Sequence, residues 1–272
     1  MASTTLGGTA GKAKTLDLFG GDRASTDWIR RASRKWSADS WTASDDTVRG
    51  GKSRSDLEVS ADGSSARFYG CLDIKTLGGA GFASQKTTGK WDLGEYVGVR
   101  VKVEKGDKKR YTFILKDKLL PPDPGTGREQ ATISYEADFE LPSQTIPGDT
   151  HNRTVIIPFA SLNPTYRGKL QKDAPDLDTK NIKQISLMMR SFFGTQEGDF
   201  SITLKSLTAV PQIPKQLSEI SVTIPDARQL EDGTGAAATR VDQKTDDSDD
   251  QLDRPLSYWS KVSNLSALLL PG

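Results

Sequence analysis

The feature that most constrains the fold is an alternation of apolar and polar residues that recurs between residues 55 and 210. Val97, Val99, Val101 and Val103 are each followed by glycine or a charged residue. Since successive side chains on a strand point to opposite faces, this run predicts a strand with one buried and one solvated face. The same alternation occurs at Phe68–Ile74, Tyr111–Leu115, Ile133–Leu141, Val155–Phe159, Ile185–Met189 and Phe200–Leu204.

Turn-forming residues separate these runs and indicate how they connect. Between residues 55 and 210 we find no apolar stripe with the spacing of a helix. Short strands joined by turns predict an all-β sandwich or jelly roll, in contrast to alternating strand–helix units. The Pro- and Gly-rich stretch 119–130 is predicted to be a long loop, and residues 27–36 a short helix capped near Ser25 or Thr26. Turns are predicted at 61–63, 105–107, 147–149 and 197–199.

The two ends of the chain differ from this central region in composition. Residues 1–15 are rich in small residues and are predicted to be flexible, and the sandwich domain is predicted to span 16–225. Residues 226–254 contain nine acidic and four basic residues, so they carry −5 of a total of +1. Because so polar a segment buries little apolar surface, we predict a disordered acidic tail over 226–272. Its apolar peptide 256–270 is interpreted as a docking segment for a partner, as a segment folded back onto the sandwich, or as simply disordered.

Composition also excludes several classes of function. One cysteine, Cys71, excludes an internal disulfide and a Cys-rich zinc site and fits a reducing compartment. The single histidine, His151, lies in a predicted turn, and Cys71 is interpreted as a structural thiol. The net charge of +1 provides no strong positive potential that would attract nucleic acid. The longest apolar run, 267–270, is too short to span a membrane. No phosphate-binding loop occurs. We therefore predict no catalytic, cofactor-binding or metal-binding residues.

The most informative stretch is 41–53, Trp-Thr-Ala-Ser-Asp-Asp-Thr-Val-Arg-Gly-Gly-Lys-Ser. Paired glycines after polar residues favour a tight corner, and the Asp and Thr side chains can bond to nearby backbone amides. The stretch resembles the signature of the complex I intermediate-associated protein family, in which a Trp is followed by Asp-(Ser/Thr)-Val-Met-Gly-Gly-x-Ser. Arg49 stands where the family has Met. The matching residues are Trp41, Asp46, Thr47, Val48, Gly50, Gly51 and Ser53.

Further pieces of the family pattern follow in collinear order, so the resemblance covers about residues 16–210. It implies a galactose-binding-like jelly roll that assists the assembly of mitochondrial respiratory complex I by chaperone-like binding of intermediates. The family offers no catalytic residues to carry over, and the signature residues are expected to be structural or to bind a protein partner. Besides those in 41–53, they are Gly79, Phe82, Ser84, Arg167 and Gly168.

Two alternatives stay open at the level of sequence. One is a carbohydrate- or ligand-binding jelly roll, for which Trp91 and Tyr96 are the candidate ligand face, with Trp41 and Tyr69 as further aromatic candidates. The other concerns location. The resemblance implies the mitochondrial matrix, but residues 1–14 contain no arginine and no apolar stripe. That is a weak transit signal, so a cytosolic paralogue is the alternative.

Overall fold

The computed structural model describes residues 14–21, 35–142 and 153–213, all within one compact unit, Met1–Ile224. Two antiparallel sheets form the fold, and short 3₁₀ turns lie at Ala38–Ser40, Asp46–Arg49, Phe159–Ser161 and Thr179–Asn181. The strands are β1 (Leu16–Gly20), β2 (Thr42–Ala43), β3 (Arg54–Val59), β4 (Ala66–Leu72), β5 (Phe82–Trp91), β6 (Gly98–Gly106), β7 (Tyr111–Lys116), β8 (Ser134–Phe139), β9 (Arg153–Pro158), β10 (Asn163–Tyr166), β11 (Lys169–Leu170), β12 (Ile182–Arg190) and β13 (Gly198–Val210).

The strand order interleaves distant parts of the chain. The six-stranded sheet has the order β3-β4-β13-β6-β9, and β1 pairs with the end of β13. The seven-stranded sheet has the order β11-β10-β8-β7-β12-β5-β2. Neighbours in each sheet are antiparallel, and most come from distant parts of the sequence, as expected for a jelly-roll sandwich.

The core lies between the inner faces of the two sheets. From the six-stranded sheet, the valines of β6 and Phe68 of β4 are fully buried. From the seven-stranded sheet, Phe113 of β7 and Ile185 of β12 are fully buried as well. Burying such side chains is the main favourable term for folding, at about 1.5–3 kcal/mol each.

These observations confirm the all-β jelly-roll class predicted from the alternation. The seven predicted runs overlap β4, β6, β7, β8, β9, β12 and β13, and their apolar positions contact the core. Val97 is the exception, because it precedes β6 and is 43% exposed. Stretch 119–130 is a loop, as predicted. The turn at 147–149, nearly all of the helix at 27–36, His151 and the tail 226–272 lie outside the described residues.

Candidate functional site

The signature stretch folds into a corner built around two buried carboxylates. Asp46 begins the 3₁₀ turn Asp46–Arg49 and is completely buried. Its Oδ1 accepts a hydrogen bond from the Ser53 backbone N–H at 3.0 Å. Its Oδ2 accepts from the Ser53 hydroxyl at 2.6 Å and from the Phe82 backbone N–H at 3.1 Å. A buried carboxylate must be compensated by such donors, and here the fold supplies them.

The adjacent Asp45 repeats this arrangement with partners two residues further along the chain in both segments. It accepts from the Ser55 N–H at 2.9 Å, the Ser55 hydroxyl at 2.7 Å and the Ser84 N–H at 2.8 Å. Because β3 belongs to the six-stranded sheet and β5 to the seven-stranded sheet, the two carboxylates join the sheets. We call Asp45 and Asp46, with their partners Ser53, Ser55, Phe82 and Ser84, the carboxylate clasp.

The paired glycines of the signature have different roles. Gly50 adopts the left-handed conformation, with φ 81°, and a Cβ there would meet nothing within 4 Å. At Gly51 a Cβ would lie 2.2 Å from Oδ1 of Asp46, so only glycine leaves room for the buried carboxylate. The first glycine is thus required for the turn and the second for the clasp.

The signature residues divide into an interior and an exposed set. Trp41 is buried and packs against Phe19, with ring centroids 5.2 Å apart. By contrast, Thr47 and Val48 face solvent, and Val48 is 70% exposed. The exposed set is the part of the corner that another protein could touch.

The remaining signature residues lie in two further turns and in β5. Gly79 has φ 97° in the turn before β5, and Phe82 begins β5 beneath the Arg49 guanidinium, 5.6 Å from the ring centroid. Arg167 and Gly168, with φ 52° and 78°, form the two-residue turn between β10 and β11. The structure therefore brings the residues of 41–53 together with Gly79, Phe82 and Ser84, whereas Arg167 and Gly168 belong to a separate hairpin.

The two residues of the predicted ligand face pack against the core. Trp91 is half-buried, lies 6.2 Å from the Phe19 ring in an edge-on arrangement and covers Gly89 of its own strand. Tyr96 is half-buried and also contacts the core. Tyr69 is half-buried beneath the Arg67 guanidinium, 4.4 Å from its ring centroid. Trp91 and Tyr96 therefore each lie partly against the core and partly in contact with solvent.

Comparison with known proteins decides the family. The model of the family Complex I intermediate-associated protein 30 (CIA30) matches residues 30–204. The chain belongs to this family. A protein of Schizosaccharomyces pombe (strain 972) described as uncharacterized is 44% identical over 183 residues, which are 65% of this chain and 80% of the relative. The resemblance read from residues 41–53 and the pieces after them is thereby confirmed.

Solved structures with a similar fold include carbohydrate-binding modules. A family 11 module of a Clostridium thermocellum cellulase matches with a TM-score of 0.42 and 14% identity, over 74% of this chain and 95% of the module. A Caldicellulosiruptor saccharolyticus module in complex with mannohexaose matches with a TM-score of 0.29 and 11% identity, over 60% of this chain and 84% of the module. These similarities concern the fold alone.

Two observations concern the titratable groups in the described part of this CIA30 family member. No group of three or more His, Cys, Asp or Glu side chains there could hold a metal ion. Burial and the neighbouring Asp199 carboxylate raise the pKa of the Cys71 thiol, which disfavours the nucleophilic thiolate. Among the described residues no helix is long and apolar enough to cross a membrane.

A second polar cluster, on the outer face of the seven-stranded sheet, was not predicted. The Arg190 guanidinium donates to Glu136 at 2.9 Å and to Asp138 at 2.6 and 2.8 Å. The Thr112 hydroxyl donates to Asp138 at 2.7 Å, and the Thr165 hydroxyl to Glu136 at 2.7 Å. The alternation predicts that these side chains lie on the face away from the core, but nothing in the sequence predicts that they are buried there. We call this cluster the polar face, which also includes Gln184 and Ser186.

Proposed function

We propose that this chain is a non-catalytic assembly factor that binds intermediates of mitochondrial respiratory complex I in a chaperone-like manner. The observation that carries the proposal is the family match over residues 30–204, because that family is described by its association with complex I intermediates. The carboxylate clasp supports the non-catalytic part. Both of its carboxylates are buried and engaged by backbone and serine donors, so neither is available to a substrate.

The exposed part of the signature corner is the surface we assign to the partner. Thr47 and Val48 project from a turn that the buried Asp46 holds in place, and Arg49 is held over the Phe82 ring. A rigid turn binds a partner with little loss of conformational entropy. The buried signature residues then serve to present this turn.

A native gel tests the proposal directly. We expect the tagged full-length chain to co-migrate with an incomplete complex I, and deletion of the protein to reduce the amount of assembled complex. Val48→Asp should reduce co-migration while leaving the fold intact, whereas Asp56→Asn, an exposed change on β3, should not. If deletion leaves complex I unchanged and the chain never co-migrates with an intermediate, the assembly role is wrong.

Location and the C-terminal peptide belong to the same proposal. An assembly factor for this complex would act in the mitochondrial matrix, and the cytosol is the alternative because residues 1–14 resemble a transit signal only weakly. We propose that residues 256–270 add a docking segment for the partner. Fractionation of the tagged chain decides the compartment, and the native gel repeated with residues 256–272 deleted tests the docking segment.

A ligand-binding role is the second candidate function. The aromatic residues that suggested it, Trp91 and Tyr96, lie partly against the core, so it stays a prediction that their exposed parts contact a ligand. The polar face adds no separate support, because its carboxylates already accept hydrogen bonds from Arg190, Thr112 and Thr165.

A further inference from the structure

The seven-stranded sheet has an open depression at the end where β5 and β7 finish and β12 begins. Its volume is about 510 Å³, and its lining consists of residues 88–90 of β5, residues 117–119 after β7 and Lys183 of β12. Asp117 and Lys183 are half-buried, and the other lining residues are exposed, so a ligand can enter from solvent. We call this depression the lysine pocket, after Lys90, Lys118 and Lys183.

A β-bulge brings two of these lysines to the same place. The register of β12 on β5 shifts before Gln184, so Lys183 alone faces the two residues 89–90. A bulge bends its strand and redirects the side chains around it. Here it places Lys90 and Lys183 on one pocket, which Lys118 joins from the segment after β7.

The positive charge of the lysine pocket is not neutralised within the part of the chain that the structure describes. None of Lys90, Lys118 and Lys183 forms an ion pair with a described residue. Asp117 is the one carboxylate of the lining, and it accepts a hydrogen bond from the Asp178 N–H at 2.9 Å. With three positive charges and one negative charge, the lining attracts an anion.

Other lysines of the same sheet lie against carboxylates. Lys86 of β5 forms an ion pair with Glu129, and the charge of Lys116 at the end of β7 interacts with Glu129 and Glu136. The excess of positive charge is therefore located at the pocket and is not a general property of this sheet.

Two leucines extend the rim of the lysine pocket. Leu119 lines it and Leu120 follows, and their side chains are 40% and 41% exposed. Residues 121–122 are both proline, and the Gln130 amide holds this segment by donating to the Pro121 carbonyl at 2.9 Å. Exposed apolar side chains beside basic residues are the combination that binds the surface of an anionic membrane. A free phosphate ion would use the lysines and leave the leucines without a contact.

We propose that the lysine pocket binds the phosphate of an anionic phospholipid headgroup, with Leu119 and Leu120 entering the membrane interface. Lysine ammonium groups bind phosphate as point charges, and an open pocket admits a headgroup whose acyl chains stay in the bilayer. The pocket lies at the last residues of β5, whereas the signature corner contacts its first residue, Phe82. The proposal therefore goes beyond the assembly role and does not depend on it.

Flotation of the full-length chain with lipid vesicles tests the proposal. The vesicles contain phosphatidylcholine alone, or phosphatidylcholine with about 30% phosphatidylserine or cardiolipin, which makes their surface negative. We expect the chain to float with at least one anionic composition and not with phosphatidylcholine alone. The bound fraction should fall between about 0.1 M and about 0.5 M salt, because the ions screen the attraction. Inorganic phosphate at up to about 10 mM, followed by amide chemical shifts, is the soluble probe.

Two variants test the pocket itself. The first carries Lys90→Gln, Lys118→Gln and Lys183→Gln, and its binding to anionic vesicles should weaken about fivefold for each lysine removed. The second carries Leu119→Ser and Leu120→Ser, keeps every charge, and should weaken binding about tenfold because the apolar contact with the interface is lost. The midpoint of thermal unfolding, measured beside the wild type, shows that each variant is folded.

The matched control removes the same amount of charge elsewhere. Three exposed lysines outside the pocket are changed together, Lys75→Gln, Lys105→Gln and Lys108→Gln. If the pocket binds the headgroup, this control should bind anionic vesicles to within about twofold of the wild type.

Four outcomes would overturn the proposal. One is that the folded wild-type chain floats with neither anionic composition, or floats equally well with phosphatidylcholine alone. Another is that the control loses as much binding as the lysine variant, which would mean that only the total charge matters. The third is that the leucine variant binds as the wild type does. The fourth is that inorganic phosphate shifts the amides of the pocket while no vesicle binds, which would identify a site for a soluble phosphorylated ligand.

Discussion

At the scale of single residues, the Asp46 carboxylate holds three donors from two parts of the chain while it is completely buried. Asp46→Ala would leave the N–H groups of Ser53 and Phe82 buried without acceptors. At about 1–3 kcal/mol for each unpaired donor, we expect the free energy of unfolding to fall by about 3 kcal/mol, measured by urea denaturation. Asp56→Ala, an exposed change on β3, should alter it by less than about 0.5 kcal/mol. Equal effects of the two changes would show that the clasp contributes nothing.

The adjacent glycines of the signature provide a second test at this scale. Gly51→Ala places a Cβ against the Asp46 carboxylate and must displace it, so its destabilisation should approach that of Asp46→Ala. Gly50→Ala meets open space and adds only the cost of a left-handed residue, about 1–2 kcal/mol. The two variants should therefore unfold at clearly different urea concentrations. The reverse order would mean that the turn, and not the clasp, requires glycine.

At the scale of the element, the turn between β12 and β13 holds two aromatic residues in a strained conformation. Phe192 and Phe193 have φ values of 44° and 58°. The Gln196 amide fixes this turn by donating to the carbonyls of Arg110 at 2.9 Å and Arg190 at 2.7 Å. The Phe193 side chain itself is 90% exposed, so it gains little by burial.

Asn tolerates the left-handed region better than Phe, and Phe193→Asn loses almost no buried area. We expect this change to raise the free energy of unfolding by about 0.5–1 kcal/mol, which should appear as a higher midpoint in thermal unfolding. Val48→Asn, at another exposed apolar residue whose φ is negative, is the control and should leave the midpoint unchanged. A lower midpoint for Phe193→Asn would mean that the ring makes a stabilising contact.

Elements also differ in how far the sequence predicts them. The strands whose inner positions are apolar, such as β6 and β12, follow directly from the alternation. β5 does not, because its inner positions include Gln85 and Thr87, which are buried although polar. The Gln85 amide donates to the Ser55 carbonyl at 3.1 Å across the two sheets. The burial of such a polar residue can be predicted only when its partner strand is known.

The same limit applies to the candidate sites. The signature at 41–53 identified the family, but the role of Asp46 depends on Phe82, which is 36 residues away. The polar face depends on an Arg190 guanidinium that reaches Glu136 and Asp138, more than 50 residues away, past the intervening β7. Periodicity reports which face a residue is on; contacts across strands decide whether it is buried and what it binds.

At the scale of the whole molecule, the carboxylate clasp and the Gln85–Ser55 hydrogen bond tie together two sheets whose inner faces are mostly apolar. The last buried residue of the described core is Val210, at the end of β13. The acidic composition of 226–272 predicts that this part adds no burial to the fold. A chain ending at residue 225 should therefore keep the free energy of unfolding to within about 0.5 kcal/mol, measured in urea beside the full-length chain.

The same truncated chain separates stability from binding. If residues 256–270 dock onto a partner, the truncated chain should unfold as the full-length chain does and yet co-migrate less with complex I intermediates on a native gel. Val48→Asp in the full-length chain is the comparison, because it alters the signature corner and leaves the tail intact. A truncated chain that is markedly less stable would instead mean that the tail belongs to the fold. Equal stability with unchanged co-migration would assign partner binding to the sandwich alone.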